Sequence, residues 1–222
     1  MASLAIICEG KTERNFAEQL LVPYFTVRGI AVDAVEIGIE NLRHGGNVTF
    51  GRVMKDAEIL LRDHDYVTTL VDYYRLGSGW GGAAEVVESM TSSEKAEVIE
   101  RGALAAARSV LGEEVADRRV IFNVLMHEFE GLLFSDPQAI AKVTRAEKVL
   151  DSLMGVVESF QTPEDIDNGR DTAPSKRLVA IGTNYGKVVH GARIAGEIGL
   201  DAIRSKCPHF NSWMLRLENC AK

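Results

Sequence analysis

The chain is short of cysteine, proline, aromatic residues and positive charge, and each shortage removes a class of protein. Its three cysteines, Cys8, Cys207 and Cys220, have no CxxC spacing, which argues against a disulfide framework or a zinc knuckle. Lys and Arg number 25 against 32 Asp and Glu, a net charge of −7. Such a balance lacks the clustered cations that grip nucleic acid through counterion release. No apolar run is long enough to span a bilayer, and the first residues show neither the basic stretch nor the long apolar segment of a secretory leader. The expectation is a cytoplasmic protein that engages no membrane. The GxxxxGK[ST] phosphate loop, a GxGxxG followed by an acid, and the GxSxG elbow are also missing. His127-Glu128-Phe129-Glu130 opens like a zinc-protease helix, but Gly131 stands where the second histidine belongs.

What is present is ordinary globular material. The 222 residues are 46% hydrophobic and 26% charged, which suffices for a sizeable core. Leu4-Ala-Ile-Ile-Cys8 is a short apolar run ending at Glu9-Gly10 and reads as a buried strand, with Cys8 as a small core residue. Apolar residues recur at helical spacing from Thr12 to Val27, with Thr12 as candidate N-cap and Pro23 expected to kink or end the helix. Ile30 to Ile39 reads as a second strand, Leu42 to Asn47 as a loop containing Gly45-Gly46, and Val48 to Asp63 as a helix. Tyr66 to Asp72 is the clearest later strand. It runs into Gly77-Ser-Gly-Trp-Gly-Gly82, whose glycines predict a mobile flap. A helix from Glu94 to Leu111, capped by Thr91, Ser92 or Ser93, precedes a fourth strand at Arg119 to Leu125. Beyond about Ala139 the pattern is helical, interrupted by a polar loop from Thr162 to Ala173. Strands alternating with helices predict an α/β core over residues 1–138, a mostly parallel four-stranded sheet flanked by helices. Residues 139–222 form a helical C-terminal extension packed on that core as one compact unit.

In such a sheet, ligands bind outside the carboxyl ends of the strands. The first strand ends at Glu9 with Glu13 a helical turn on, the third at Asp72, and the fourth leads to Glu128 and Glu130. Gathered together, these carboxylates would repel one another until a cation neutralised them, and magnesium or manganese suits hard oxygen ligands. Each acid also has an ordinary structural role open to it. Glu9 and Glu13 favour a helix N-terminus, Asp72 can cap the following loop, and Glu128 and Glu130 can form a solvated face. The coincidence at three strand ends favours a metal site. His127 beside these acids reads as structural or as a support for the ligands. In the polar loop, Thr172 or Ser175 is expected to cap a helix near Pro174. Lys176 and Arg177 at its start then either face a phosphate or lie solvated on the surface. Phe210, Trp213, Leu215 and Leu217 are expected to pack on the sheet, and His209 to approach the acids.

Six motifs occur in order: Glu9-Gly-Lys-Thr-Glu13, Val71-Asp-Tyr-Tyr74, His127-Glu-Phe-Glu-Gly-Leu-Leu-Phe-Ser-Asp136, Glu164-Asp-Ile-Asp167, Thr172-Ala-Pro-Ser-Lys-Arg177 and Gly199-Leu-Asp-Ala-Ile-Arg-Ser-Lys-Cys-Pro-His-Phe-Asn211. Together they resemble the bacterial domain-of-unknown-function family 4276 (DUF4276), whose members look like single-domain TOPRIM proteins. That resemblance implies a TOPRIM-like fold and magnesium-dependent phosphoryl transfer, as in topoisomerases, primases and OLD-type nucleases. It makes Glu9 the first acid, a metal ligand or general acid/base, and Asp72 the first member of an Asp-x-Asp pair. Tyr74 stands where the second Asp belongs, and Glu128 or Glu130 is then the group to supply the missing charge.

The expected activity is a Mg2+- or Mn2+-dependent nuclease acting on DNA or RNA. Its candidate metal ligands are Glu9, Asp72, Glu128 and Glu130. The candidate catalytic groups are Glu9, Glu13 and Lys176, and the candidate phosphate-binding cations are Lys11, Lys176 and Arg177. The family's likeness in gene setting to proteins encoded beside ATPases in phage-defence loci implies an ATPase partner, and self-association is left open. The rival expectations are a TOPRIM-like binding or regulatory module without catalysis, favoured by Tyr74 and the acidic balance, and phosphoryl or nucleotidyl transfer on a small nucleotide.

Overall fold

Five parallel strands carry the fold: β1 (Ala2–Cys8), β2 (Ile30–Glu36), β3 (Tyr66–Asp72), β4 (Val120–Ile121) and β5 (Val124–Leu125). The computed structural model describes residues 1–38, 48–166, 169 and 172–221. Ile39, the expected loop from Leu42 to Asn47, and Asp167 in the polar loop lie outside the described residues. The strand order is β2-β1-β3-β4, with β5 also paired to β3. β1 pairs with β2 from Ala2↔Ile30 to Cys8↔Glu36, and with β3 from Leu4↔Tyr66 to Cys8↔Leu70.

The expected fourth strand is divided, and Thr69 of β3 divides it. Its hydroxyl donates to Asn123 O at 2.8 Å and accepts from Asn123 N at 2.9 Å, replacing the ladder bonds there. Side-chain hydroxyls compete with backbone pairing in this way.

Alternation along β1 sends Leu4, Ile6 and Cys8 into one core and Ala5 and Ile7 into another. Each large apolar side chain buried in these cores contributes about 1.5–3 kcal/mol. The second core is covered by α3 (Phe50–Leu60), α4 (Ser92–Leu111) and α5 (Glu113–Arg119). The first is covered by α1 (Lys11–Phe16), α2 (Val22–Thr26), α6 (Glu130–Leu133) and the C-terminal helices. Those are α7 (Pro137–Thr144), α8 (Leu150–Glu158), α9 (Pro174–Ile181), α10 (Lys187–Ile198), α11 (Leu200–Lys206) and α12 (Pro208–Glu218). Trp213, fully buried, donates from its indole to Thr68 Oγ1 at 2.8 Å and ties α12 to β3. Leu215 is exposed and does not join Phe210, Trp213 and Leu217 in the core.

Three local expectations are corrected. Gly10, not Thr12, is the N-cap of α1, because Glu13 Oε2 accepts the Gly10 amide at 3.1 Å. The helix does not end at Pro23: the α-helical course is interrupted by a π-helical turn at Ala17–Leu21 and resumes in α2, the wider turn making room for the proline ring. The glycine segment after β3 is clamped rather than a flap. Trp80 is buried and donates to Val48 O at 2.7 Å. Gly81 and Gly82 lie so close to α4 that a Cβ on either would fall 2.2 Å from a backbone oxygen of Gly102 or Val98.

Candidate active site at the switch point

After β1 the chain crosses to β2 on one side, and later returns to β3 on the other. The carboxyl ends of β1 and β3 therefore border the crevice where α/β sheets take ligands. Glu9 follows β1, its amide still bonded to Leu70 O at 3.1 Å, and Asp72 ends β3. Glu9 Oε2 accepts the Asp72 amide at 3.2 Å, and Oε1 accepts Arg75 Nε at 3.2 Å. Asp72 Oδ1 accepts the Phe129 amide at 2.8 Å, and Glu130 Oε1 accepts the Tyr185 hydroxyl at 3.0 Å. Glu9, Glu13, Asp72 and Glu130 are all buried.

Three of these acids use one oxygen for scaffold and turn the other to a common point. Lys187 Nζ lies 3.2 Å from Glu130 Oε2, 3.5 Å from Asp72 Oδ2 and 3.9 Å from Glu13 Oε1. Glu13 Oε1 and Glu130 Oε2 are buried and accept no hydrogen bond. Gly191 lets α10 bring its first residue this near, since a Cβ there would meet Phe129 and Thr12 at 3.1 Å.

Crowding shifts the protonation of every member. Burial raises the Glu13 carboxyl to about 7; the Lys187 ammonium opposes the rise, and the charges of Glu9 and Glu130 add to it. Burial and the charge of Glu13 lift Asp72 well above the usual carboxylate range, and burial lifts Glu9 and Glu130. For Lys187, burial opposes the charge, but Asp72, Glu130 and Glu13 outweigh it and hold the ammonium protonated.

The family model for DUF4276, described as a domain of unknown function, matches residues 8–218. The chain belongs to the DUF4276 family. No curated protein matches this DUF4276 domain. Among solved structures it is similar to the C-terminal region of the Burkholderia pseudomallei OLD protein, at 18% identity and a TM-score of 0.48, covering 100% of both chains. The C-terminal region of the Xanthomonas campestris pv. campestris OLD protein is similar at 18% identity and a TM-score of 0.40, covering 97% of this chain and 98% of that one.

In this DUF4276 domain the motifs far apart in sequence meet in pairs. Glu128, half-buried, accepts the Ser175 amide at 3.0 Å and so serves the start of α9. Ala173 is the N-cap there, rather than Thr172 or Ser175, and the amide expected to await a phosphate already holds a carboxylate. Lys176 is exposed on α9, and Lys11 is exposed at the first residue of α1. The Arg177 guanidinium stacks 5.2 Å over the Phe160 ring. His209 goes to Glu100 Oε1 at 2.9 Å, away from the strand-end acids. The cation inside the cluster is Lys187. Its one sequence signal is weak: a lysine in the first turn of a helix opposes the dipole and needs an outside reason.

Among the described residues no group of three or more carboxylate, imidazole or thiol side chains is arranged to hold a metal ion as it stands. The donors nevertheless match a hard divalent cation in kind, being all oxygen, with two of the inward oxygens lacking a hydrogen-bond donor. An ion entering would take the place of the Lys187 ammonium, whose side chain is 37% exposed and so has solvent to move into.

Proposed function

We propose that this protein is a divalent-metal-dependent phosphodiesterase of the TOPRIM type, a cytoplasmic nuclease acting on DNA or RNA. The observation that carries the reading is the turning of Asp72 Oδ2, Glu13 Oε1 and Glu130 Oε2 toward one point at the strand crossover. Asp72, Glu130 and Glu13 would hold a magnesium or manganese ion, and Glu9 would join them on releasing Arg75, while Glu128 serves the start of α9. When bound, the ion supplies charge neutralisation for a phosphate and a more acidic water. With no ion bound, Glu13 is raised to about 7 by burial, so near neutral pH it holds a proton that an entering ion would displace. Lys187, moved outward by the ion, would set positive charge against the phosphate. The family's gene setting supports an ATPase partner in phage defence as part of the same reading.

The test is cleavage of single- and double-stranded DNA and RNA by purified protein in Mg2+ or Mn2+. Activity is expected to vanish in EDTA and in Glu9→Ala and Asp72→Ala. Full activity in both variants rules the mechanism out.

A second reading is favoured by the seat of Lys187. Its ammonium already offsets part of the pocket's negative charge, as it would in a binding or regulatory module that carries an internal cation in place of a metal. Lys187→Met separates the two. The phosphodiesterase reading expects this variant to melt lower in EDTA and to recover with Mn2+, because breaking a buried ion pair leaves uncompensated charge. Calorimetry showing no divalent binding near millimolar concentration, by wild type or variant, favours the module.

A further inference from the structure

Immediately after Asp72 the chain makes a 3-10 turn, Tyr73–Arg75, on the rim of the carboxylate pocket. Tyr74, two residues after Asp72, is 38% exposed. His127 backs it: the two rings lie 5.4 Å apart at 48°, and the His127 carbonyl accepts the Tyr74 amide at 3.3 Å. Tyr73 adds a third ring, 5.9 Å from Tyr74 and 6.2 Å from His127. His127 is buried and holds φ at 63°, a left-handed conformation that residues other than glycine seldom adopt. Arg75 completes the rim. Its Nε is engaged by Glu9, and its side chain is 63% exposed with no other side-chain hydrogen bond among the described residues.

We propose that Tyr74, backed by His127, is a stacking platform for an unpaired nucleobase, that Arg75 clamps the adjoining phosphate, and that the substrate is therefore single-stranded nucleic acid. The inference rests on the phosphodiesterase reading for the chemistry of the pocket. Its own support is separate. In a duplex both faces of a base are covered by neighbours, so an aromatic side chain finds a face only on a single strand. A protein of net charge −7 has few cations to spend along a duplex backbone, whereas stacking does not depend on charge. Arg75 also touches Glu9, which couples the bound phosphate to the acid at the end of β1.

The experiment is fluorescence anisotropy in EDTA, where cleavage is silent, using a short labelled oligothymidylate and a duplex of equal length. The single strand is expected to bind more tightly than the duplex. Tyr74→Ala should weaken it by about tenfold or more, while Tyr74→Phe keeps wild-type affinity. Arg75→Ala should weaken binding and lower the salt slope by about one. Duplex binding as tight as single-strand binding overturns the proposal. So does wild-type affinity in a Tyr74→Ala protein whose circular dichroism is unchanged. If the stacking pattern holds but Mg2+ and Mn2+ give no cleavage, the phosphodiesterase reading falls and the platform stands. If duplex is cut equally by wild type and Tyr74→Ala, the platform falls and the phosphodiesterase stands.

Discussion

Two buried acid clusters stand among the described residues, and they are finished differently. Glu100 of α4 lies at the first. Its Oε1 accepts the Val124 amide and His209 Nε2, both at 2.9 Å, and its Oε2 accepts Arg216 at 3.1 Å. Nearby Glu164 accepts the His209 and Phe210 amides at 2.9 and 2.8 Å, capping α12 from a distant loop. Every carboxylate oxygen there has a donor, and two acids face a histidine and an arginine. At the strand crossover, four buried acids share Lys187 and an outlying Arg75, and two oxygens accept nothing. A fully satisfied buried network stiffens a fold; an incompletely satisfied one stores charge repulsion that a ligand can relieve. The first cluster is a strut between α4, β5 and α12. The second keeps buried acceptors without donors, which is why the proposed ion is placed there.

The contrast can be broken by mutation. The largest effect is expected from Glu100→Ala, which strands His209, Arg216 and an amide. It should cost about 3–5 kcal/mol in urea unfolding, with no recovery on adding metal. Asp72→Asn should do the reverse, lowering metal-dependent cleavage roughly 10²–10³-fold while the melting temperature holds or rises. A drop in stability like that of Glu100→Ala would erase the distinction between the clusters.

A third effect is in pH. Glu13 has its folded pKa raised from 4.5 to about 7, so the folded state binds the extra proton. The stability it contributes is complete below pH 4.5 and is lost as pH rises toward 7 and beyond. In metal-free buffer that loss amounts to up to about 3 kcal/mol, and Glu13→Gln should flatten it in a pH series of unfolding curves. The smallest effect concerns the seating of the strut. Gly102→Ala in α4 would raise helix propensity, yet its Cβ would lie 2.3 Å from the Gly81–Gly82 backbone. A net loss of about 1–3 kcal/mol is expected by thermal melts.

Much of the framework is legible in the sequence because its signals are local. β3 runs from Tyr66 to Asp72 as its β-branched run predicts, and the Thr91–Glu94 capping box opens α4. Where a long-range partner overrides a local rule, sequence reasoning goes astray. Glycines between residues 77 and 82 suggested mobility, but they are small so that α4 can press on them. Thr172 and Ser175 looked like caps, but Glu128 arrives from another motif to serve that helix. The strand-end acids were visible as candidates through the alternation of strands and helices. The lysine among them was not, because Lys187 lies 115 residues from Asp72 and is joined to it only by the packing of α10.

The sequence by itself determined the first and third strands, the long helix before the fourth strand and the acids at the strand ends, since hydrophobic period and capping chemistry act within a few residues. Tertiary structure alone decided which acids share a pocket, which are spent on helix starts, and which cation stands among them. Those are questions of distance between segments, where Coulomb energy and hydrogen-bond satisfaction depend on ångströms that no local pattern encodes.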